Sequence, residues 1–334
     1  MTRLQISEKL YGLPFDQFSR QYRVAQIIDS FRRDKKPFAI LDVGGYKGMT
    51  TEFQSGDDVT VVDLFKDNKM KNYVQTDGKK LPFDDNSFDF VVTFDTYEHV
   101  PRVNRKQFLS ELNRVAKKGV LLAAPFDDDK RLTTKCEIGL NEYHKKLYKK
   151  QHRWLKEHID YRIPRFLDFE KSLNAAHMRY ASIASNELTV WSQLQTLQFA
   201  IELDDEYRGR VDLISRFYNR NIDRLDTPAS DELSYRRIYF IGGEKAVIAA
   251  KTCIERMHTN RDYKARVELI LMMMDSFGVK YRDVIVHRNY LEKEVSVLHG
   301  ARASEGAGVG RVVKIMRTGG EKAVAYLKGS RGKS

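Results

Sequence analysis

Short apolar runs that close on an acid recur through the first part of the chain. Ala39 to Val43 (AILDV) carries Asp42 near its end, Val59 to Asp63 (VTVVD) ends in a carboxylate, and Phe88 to Phe94 is followed at once by Asp95. Runs of this length without strict alternation suit strands buried on both faces. Gly44, Gly45 and Gly48 follow the first run, and a helix-compatible stretch begins near Met49. Strand, glycine turn and helix form the first unit of a doubly wound α/β sheet, where ligands sit at the carboxyl ends of the strands. Arg105 to Phe126 adds a helix and a fifth strand.

Helical spacing dominates elsewhere. Phe18, Tyr22, Ala25 and Ile28 fall on one face of a helix over Phe15 to Arg33, with Asp16 as its expected N-cap. This helix is expected at the sheet edge or over the ligand. Asp127 to Lys135 reads as a polar loop, Asn141 to His158 as a basic, aromatic helix, and Arg162 to Ala176 as another helix. Tyr180 to Ser185 suits a sixth strand, Asn186 a cap for the helix Glu187 to Leu203, and Arg236 to Ile241 a seventh strand. Tyr263, Val267, Ile270, Leu271 and Met274 share helical spacing. Val284, Leu291 and Leu298 then recur every seven residues, which suits either a partner-facing helix or packing on the chain's own core. Gly300 to Gly310 reads as a hinge before a basic tail. The expected organisation is a helical segment over 1–36, a catalytic domain over 37–250 with an acceptor-side insertion at about 127–180, a helical extension over 251–299, and a flexible tail or linker over 300–334.

The candidate chemistry lies at the strand ends. The first turn reads G-G-x-x-G with an acid two residues ahead, which is not the G-x-G-x-x-G dinucleotide fingerprint. Glycine in such a turn lets the backbone approach a ligand closely. Asp63 can accept both hydroxyls of a ribose. Asp77 and Gly78 form a turn ahead of a Leu-Pro-Phe loop. Asp95, Glu98 and His99 form D-x-x-E-H, whose side chains can converge on the same cleft, and His99 could act as a base. A second cluster holds Asn141, Glu142, Tyr143 and His144, with Trp154, Glu157 and His158 further on. Aromatic rings suit sugar faces, and basic residues suit phosphate or uronate groups.

In this order and spacing, the segments from Pro37 to Phe126 resemble class I S-adenosylmethionine-dependent methyltransferases, most closely the type 11 family. The resemblance implies a seven-stranded, mostly parallel, Rossmann-like sheet with an antiparallel seventh strand, and S-adenosylmethionine as cofactor. It assigns Asp42, Gly44, Gly45 and Gly48 to the methionine end and Asp63 to the ribose. Asp77, with Gly78, falls to the adenine, and Asp95 is placed in the same cofactor set. His99, Glu98 and His144 are the catalytic candidates. The D-x-x-E-H segment also resembles that of some quinone-pathway O-methyltransferases, which hold a divalent ion with such a set. A base or a helix-orienting role is preferred here, so no metal ligands are assigned. Residues 141–164 resemble, more loosely, methyltransferases found with bacterial surface-polysaccharide glycosyltransferases.

Charge sharpens this reading. The chain has 334 residues and a formal charge of +12. Pro37 to Phe126 holds 12 basic and 13 acidic residues, Lys130 to Arg179 13 and six, and Gly300 to Ser334 eight and two. The basic character therefore lies away from the cofactor core. No RNA-binding module is recognisable, and the fourth strand reads TFDTYEH rather than an amine-methylating Asn-Pro-Pro-Tyr type, so nucleic acid is not the expected partner. Two cysteines, far apart, imply neither a disulfide framework nor a zinc site and fit a cytoplasmic setting. The start of the chain lacks the apolar core of a secretory signal. Contact with the inner face of a membrane stays open.

The expectation is O-methylation of a sugar or glycan in surface-polysaccharide assembly. The alternatives are a methyltransferase on another small molecule, such as a quinone precursor, and a cofactor-binding adaptor that recruits a glycosyltransferase. Self-association through the C-terminal helices is a further partner reading.

Overall fold

The computed structural model describes residues 4, 6–46, 49–66, 69–201, 208–226, 228, 231–257 and 263–277. The chain divides into two units, Met1–Leu269 and Ile270–Ser334. Of the second, only residues 270–277 at the end of the last helix are described. The heptad residues Val284, Leu291 and Leu298, the glycine hinge and the basic tail lie outside the described residues.

Seven strands form one sheet. They are β1 (Ala39–Val43), β2 (Asp58–Asp63), β3 (Tyr73–Gln75), β4 (Phe88–Phe94), β5 (Ala116–Pro125), β6 (Arg179–Glu187) and β7 (Ser234–Gly242), in the spatial order β3-β2-β1-β4-β5-β7-β6. The first five run parallel. β7 is antiparallel to both β5 and β6. This is the α/β architecture expected from the sequence, a doubly wound Rossmann-like sheet. β3 is three residues long and half-exposed, so it carries no apolar run by which sequence alone would mark it.

The helices are α1 (Phe15–Ser30), α2 (Met49–Phe53), α3 (Arg105–Val115), α4 (Leu132–Tyr148), α5 (Arg153–Tyr161), α6 (Phe166–Ala175), α7 (Leu188–Ile201), α8 (Arg208–Arg220), α9 (Ile222–Leu225), α10 (Glu244–Met257) and α11 (Tyr263–Phe277). Neighbouring strand residues feed opposite faces of the sheet. Leu41, Val91 and Leu122 meet Phe108 and Leu112 of α3 and Phe169 and Leu173 of α6. Ile40, Phe90 and Leu121 meet Val24, Ile27 and Ile28 of α1 and Ala250 and Ile254 of α10. Helix α1 thus lies on the sheet's central face, not at its edge, and α10 continues its packing beyond residue 250. Among the described residues no helix is long and apolar enough to cross a membrane.

Four local expectations change. Asp16 does not cap α1; the cap position is Pro14, and the Asp16 carboxylate accepts from the Trp191 indole and the Arg236 guanidinium. Asn186 does not cap α7 either. Its carboxamide bonds Ser19 and Arg236, while Glu187 accepts from the Val190 N–H and the Thr189 hydroxyl. The polar stretch 127–135 is loop only as far as Arg131. The buried acids Asp127 and Asp128 hold the start of α4, with Asp128 Oδ1 accepting from the Leu132 N–H at 2.9 Å. The basic helix expected over 141–158 is broken in two, because Lys149 adopts a left-handed conformation (φ 59°) that ends α4.

Candidate functional site

The carboxyl ends of β1, β2, β4 and β5 lie along one edge of the sheet. At the end of β1, Asp42 is 1% exposed and its Oδ2 accepts from Thr50 Oγ1 at 2.6 Å. Its Oδ1 is buried and unpartnered. Burial raises the Asp42 carboxyl to about 7, against the Thr50 hydrogen bond and with the help of the Asp63 charge. A buried carboxylate oxygen with an open valence suits a cationic ligand group. Gly44 follows at φ +83°, and a Cβ there would stand 2.2 Å from Thr96 Oγ1. A Cβ on Gly45 would stand 2.2 Å from Asp42 Oδ2. Both positions therefore exclude a side chain, the first by backbone conformation as well as by space. Gly48 lies outside the described residues.

The Asp63 carboxylate, at the end of β2, accepts from the Tyr46 N–H and the Phe65 N–H, each at 3.1 Å. Each oxygen keeps a lone pair for a hydroxyl donor. The rings of Tyr46 and Phe65 lie 5.4 Å apart, and both are exposed, as is Leu64. This apolar surface beside the acid suits the flat face of a base, and sequence reading had not singled it out. Asp77 accepts from the Lys79 N–H at 3.0 Å and pairs with the Lys79 ammonium at 3.2 Å. These partners hold its carboxyl below the usual range. Gly78, at φ +71°, sits against Phe108. The acid, glycine and orphaned carboxylate set thus fits the methionine and ribose ends of S-adenosylmethionine, whereas Asp77 would have to share its carboxylate with Lys79.

Asp95 is committed elsewhere. It adopts φ 44° after β4, and its two oxygens accept from Arg236 at 2.9 and 2.6 Å and also from Arg20. Although burial opposes its charge, the two guanidiniums keep its carboxyl far below the usual range. Arg236, fully buried, also reaches Asp16 at 3.2 Å. This ion network, rather than a ligand, occupies the expected cofactor acid.

A short turn, Tyr97–His99, places Glu98 and His99 immediately beyond it. His99 Nε2 lies 3.1 Å from His158 Nε2 on α5. The His158 Nδ1 contacts both oxygens of Glu137 on α4, at 2.9 and 3.1 Å, and Glu137 also accepts from the Tyr235 hydroxyl at 2.8 Å. Glu157 Oε2 stands 3.1 Å from His99 Nδ1, off the line of a hydrogen bond. Glu98 is fully buried, with neither carboxylate oxygen hydrogen-bonded and Oε1 3.7 Å from His158 Nε2. Burial, then the Asp95 charge, raises Glu98 to about 8. Burial, then the His158 charge, lowers His99 to about 4. Burial works against a charge on His158, yet Glu137 lifts it to about 9.

His144 does not stand in this cluster. Its Nδ1 bonds the Lys150 carbonyl at 2.8 Å, and its ring stacks on Tyr148 and meets His152 and Phe199. With Asn141, which accepts from the His152 N–H at 2.9 Å, it fixes the link from α4 to α5. The helix so placed carries Glu157 and His158 back to His99. The sequence held no local signal for that pairing, since His99 and His158 are 59 residues apart. Glu137, Tyr235, Arg20 and Arg236 were missed for the same reason.

Residues 41–124 match the family model of a methyltransferase domain. No curated protein matches the chain. Among solved structures, the chain is similar to the YcgJ protein of Bacillus subtilis at 15% identity, over 66% of this chain and 99% of that one, with a TM-score of 0.39. It is similar to a SAM-dependent methyltransferase of Aquifex aeolicus at 20% identity, over 51% and 85%, with a TM-score of 0.32. The matched segment spans the first turn, both flanking strand ends and most of β5, so this chain carries a methyltransferase domain and is an enzyme that uses S-adenosylmethionine.

Proposed function

We propose that this enzyme O-methylates a sugar or glycan, in the assembly of a surface polysaccharide. The observation that carries this reading is the surface beside His99. The Trp154 indole is 44% exposed, meets the His99 ring edge-on with centroids 5.5 Å apart, and lies under the Arg153 guanidinium at 4.6 Å. An open aromatic face beside a cation suits a sugar ring carrying a phosphate or carboxylate. Tyr161, on the same helix, is also exposed. The excess of basic residues between Lys130 and Arg179 supports the same acceptor class.

S-adenosylmethionine supplies, when bound, a methyl group already activated on a sulfonium. In this reading Asp42 and Asp63 hold its charged and hydroxyl groups, and Gly44 and Gly45 leave room for close approach. The Glu98, His99 and His158 cluster faces the acceptor side. There the cluster would take the proton of an acceptor hydroxyl as its oxygen accepts the methyl group. The alignment of the two reactants supplies most of the acceleration. The test is incubation with labelled S-adenosylmethionine and a panel of nucleotide sugars, lipid-linked glycans, phenols and RNA. Label in a sugar hydroxyl is expected. Label confined to phenols or RNA would overturn the acceptor class.

A further inference from the structure

We infer that Glu98, His99 and His158 form a binding site for one divalent transition-metal ion at the acceptor side of the cleft. This rests on the methyl-transfer reading only for its role, not for its existence. Three donor atoms, one from each residue, all lie within 4.8 Å of one another. Two ligands at about 2.1 Å from a shared ion, at right or tetrahedral angles, stand roughly 3.0–3.4 Å apart. The two Nε2 atoms are 3.1 Å apart, and Glu98 Oε1 is 3.7 Å from one of them. The set is thus nearly closed around a single point.

Three further features match an ion rather than a plain hydrogen-bond cluster. First, His158 directs Nδ1 at the Glu137 carboxylate, and His99 has Glu157 beside its Nδ1. A carboxylate behind the ring is the usual outer support of a metal-ligating histidine, and it leaves the lone pair on Nε2. With no ion between them the two Nε2 atoms share one proton at 3.1 Å, and an ion placed there would take a lone pair from each ring in its stead. Second, Glu98 is fully buried with neither oxygen hydrogen-bonded, although a buried carboxylate ordinarily finds a donor. Third, three carboxylates, Glu98, Glu137 and Glu157, surround two imidazoles, while the nearby guanidinium of Arg105 bonds the Glu98 main-chain carbonyl rather than its side chain. The formal charge therefore favours a divalent cation.

The ligand set is not the contiguous D-x-x-E-H of the sequence. Asp95 is held by Arg20 and Arg236, and its place is taken by His158 from α5. Two imidazoles and one carboxylate are the donors of zinc sites that keep a position open, and of other first-row divalent ions. An open position would let the ion take the acceptor's hydroxyl oxygen and favour its deprotonation.

The test uses full-length, tag-free protein stripped with chelator and then titrated with Zn²⁺ by calorimetry and with Co²⁺ by visible absorption. One ion per chain is expected. Glu98→Gln, close to isosteric, and His158→Ala should each weaken binding at least 100-fold. Glu157→Gln should weaken it about 10- to 100-fold, as outer-shell changes do. Trp154→Ala, which removes no donor, should bind as wild type does. Circular dichroism and retained S-adenosylmethionine binding check that the variants fold. A wild-type protein that takes up no ion overturns the inference, and so does undiminished binding in Glu98→Gln. Neither readout uses an acceptor, so failure of the proposed acceptor class leaves this result untouched.

Discussion

Replacing Gly44 by alanine separates two costs that the structure places at one residue. The first is conformational. At φ +83° an L-residue pays about 1–2 kcal/mol for the left-handed region. The second is steric. The new Cβ would stand 2.2 Å from Thr96 Oγ1, 2.8 Å from its Cγ2 and 3.0 Å from its Cβ. Overpacking of this kind typically costs about 1–3 kcal/mol. Gly44→Ala should therefore destabilise the fold by about 2–5 kcal/mol. Thr96→Ala removes the two closest atoms. On its own it should cost only about 0.5–1.5 kcal/mol, for the hydroxyl that donates to the Phe94 carbonyl at 3.0 Å. In the Thr96→Ala background, the Gly44→Ala loss should shrink to roughly the conformational 1–2 kcal/mol. Urea denaturation of the wild type, both single variants and the double variant measures this coupling. Additivity to within about 0.5 kcal/mol would refute the claim that Thr96 excludes a side chain at residue 44.

Two other outcomes follow from buried charge. Arg236→Met strips the guanidinium from Asp16 and Asp95 and should cost about 3–5 kcal/mol in the same denaturation assay; a loss under about 1 kcal/mol would mean the network contributes little. The Asp42 carboxyl, raised to about 7 by burial, must be ionised to hold a cationic group, so cofactor binding should release a proton below pH 7. Affinity is then full above pH 7 and lost as pH falls through it, with about a tenfold drop from pH 8 to pH 6. Calorimetry of S-adenosylmethionine binding checks this, and a profile equally steep in Asp42→Asn would assign the proton to another group.

The cofactor half of the molecule was legible in the sequence because its signals are local. AILDV followed by glycines, VTVVD, and FDFVVTF followed by an acid each state a buried strand and its end within a few residues. The order of the strands is not among these local signals, since β1 lies beside β4 and β7 between β5 and β6. β3 escaped because a short, half-exposed strand has no apolar run. The division of labour among the acids was decided only in three dimensions. Asp42, Asp63 and Asp95 look alike in sequence, each at the end of an apolar run. Yet one is buried with an open oxygen, one accepts two main-chain N–H groups, and one is locked between Arg20 and Arg236. The acceptor side was the least legible. His99 meets His158 because a left-handed residue at Lys149 turns α4 into α5, and His144 and Asn141 secure that turn. Sequence records which residues can form a strand or a turn, since those depend on near neighbours. Which distant side chains share a buried pocket depends on how the helices pack, and only the folded chain sets that.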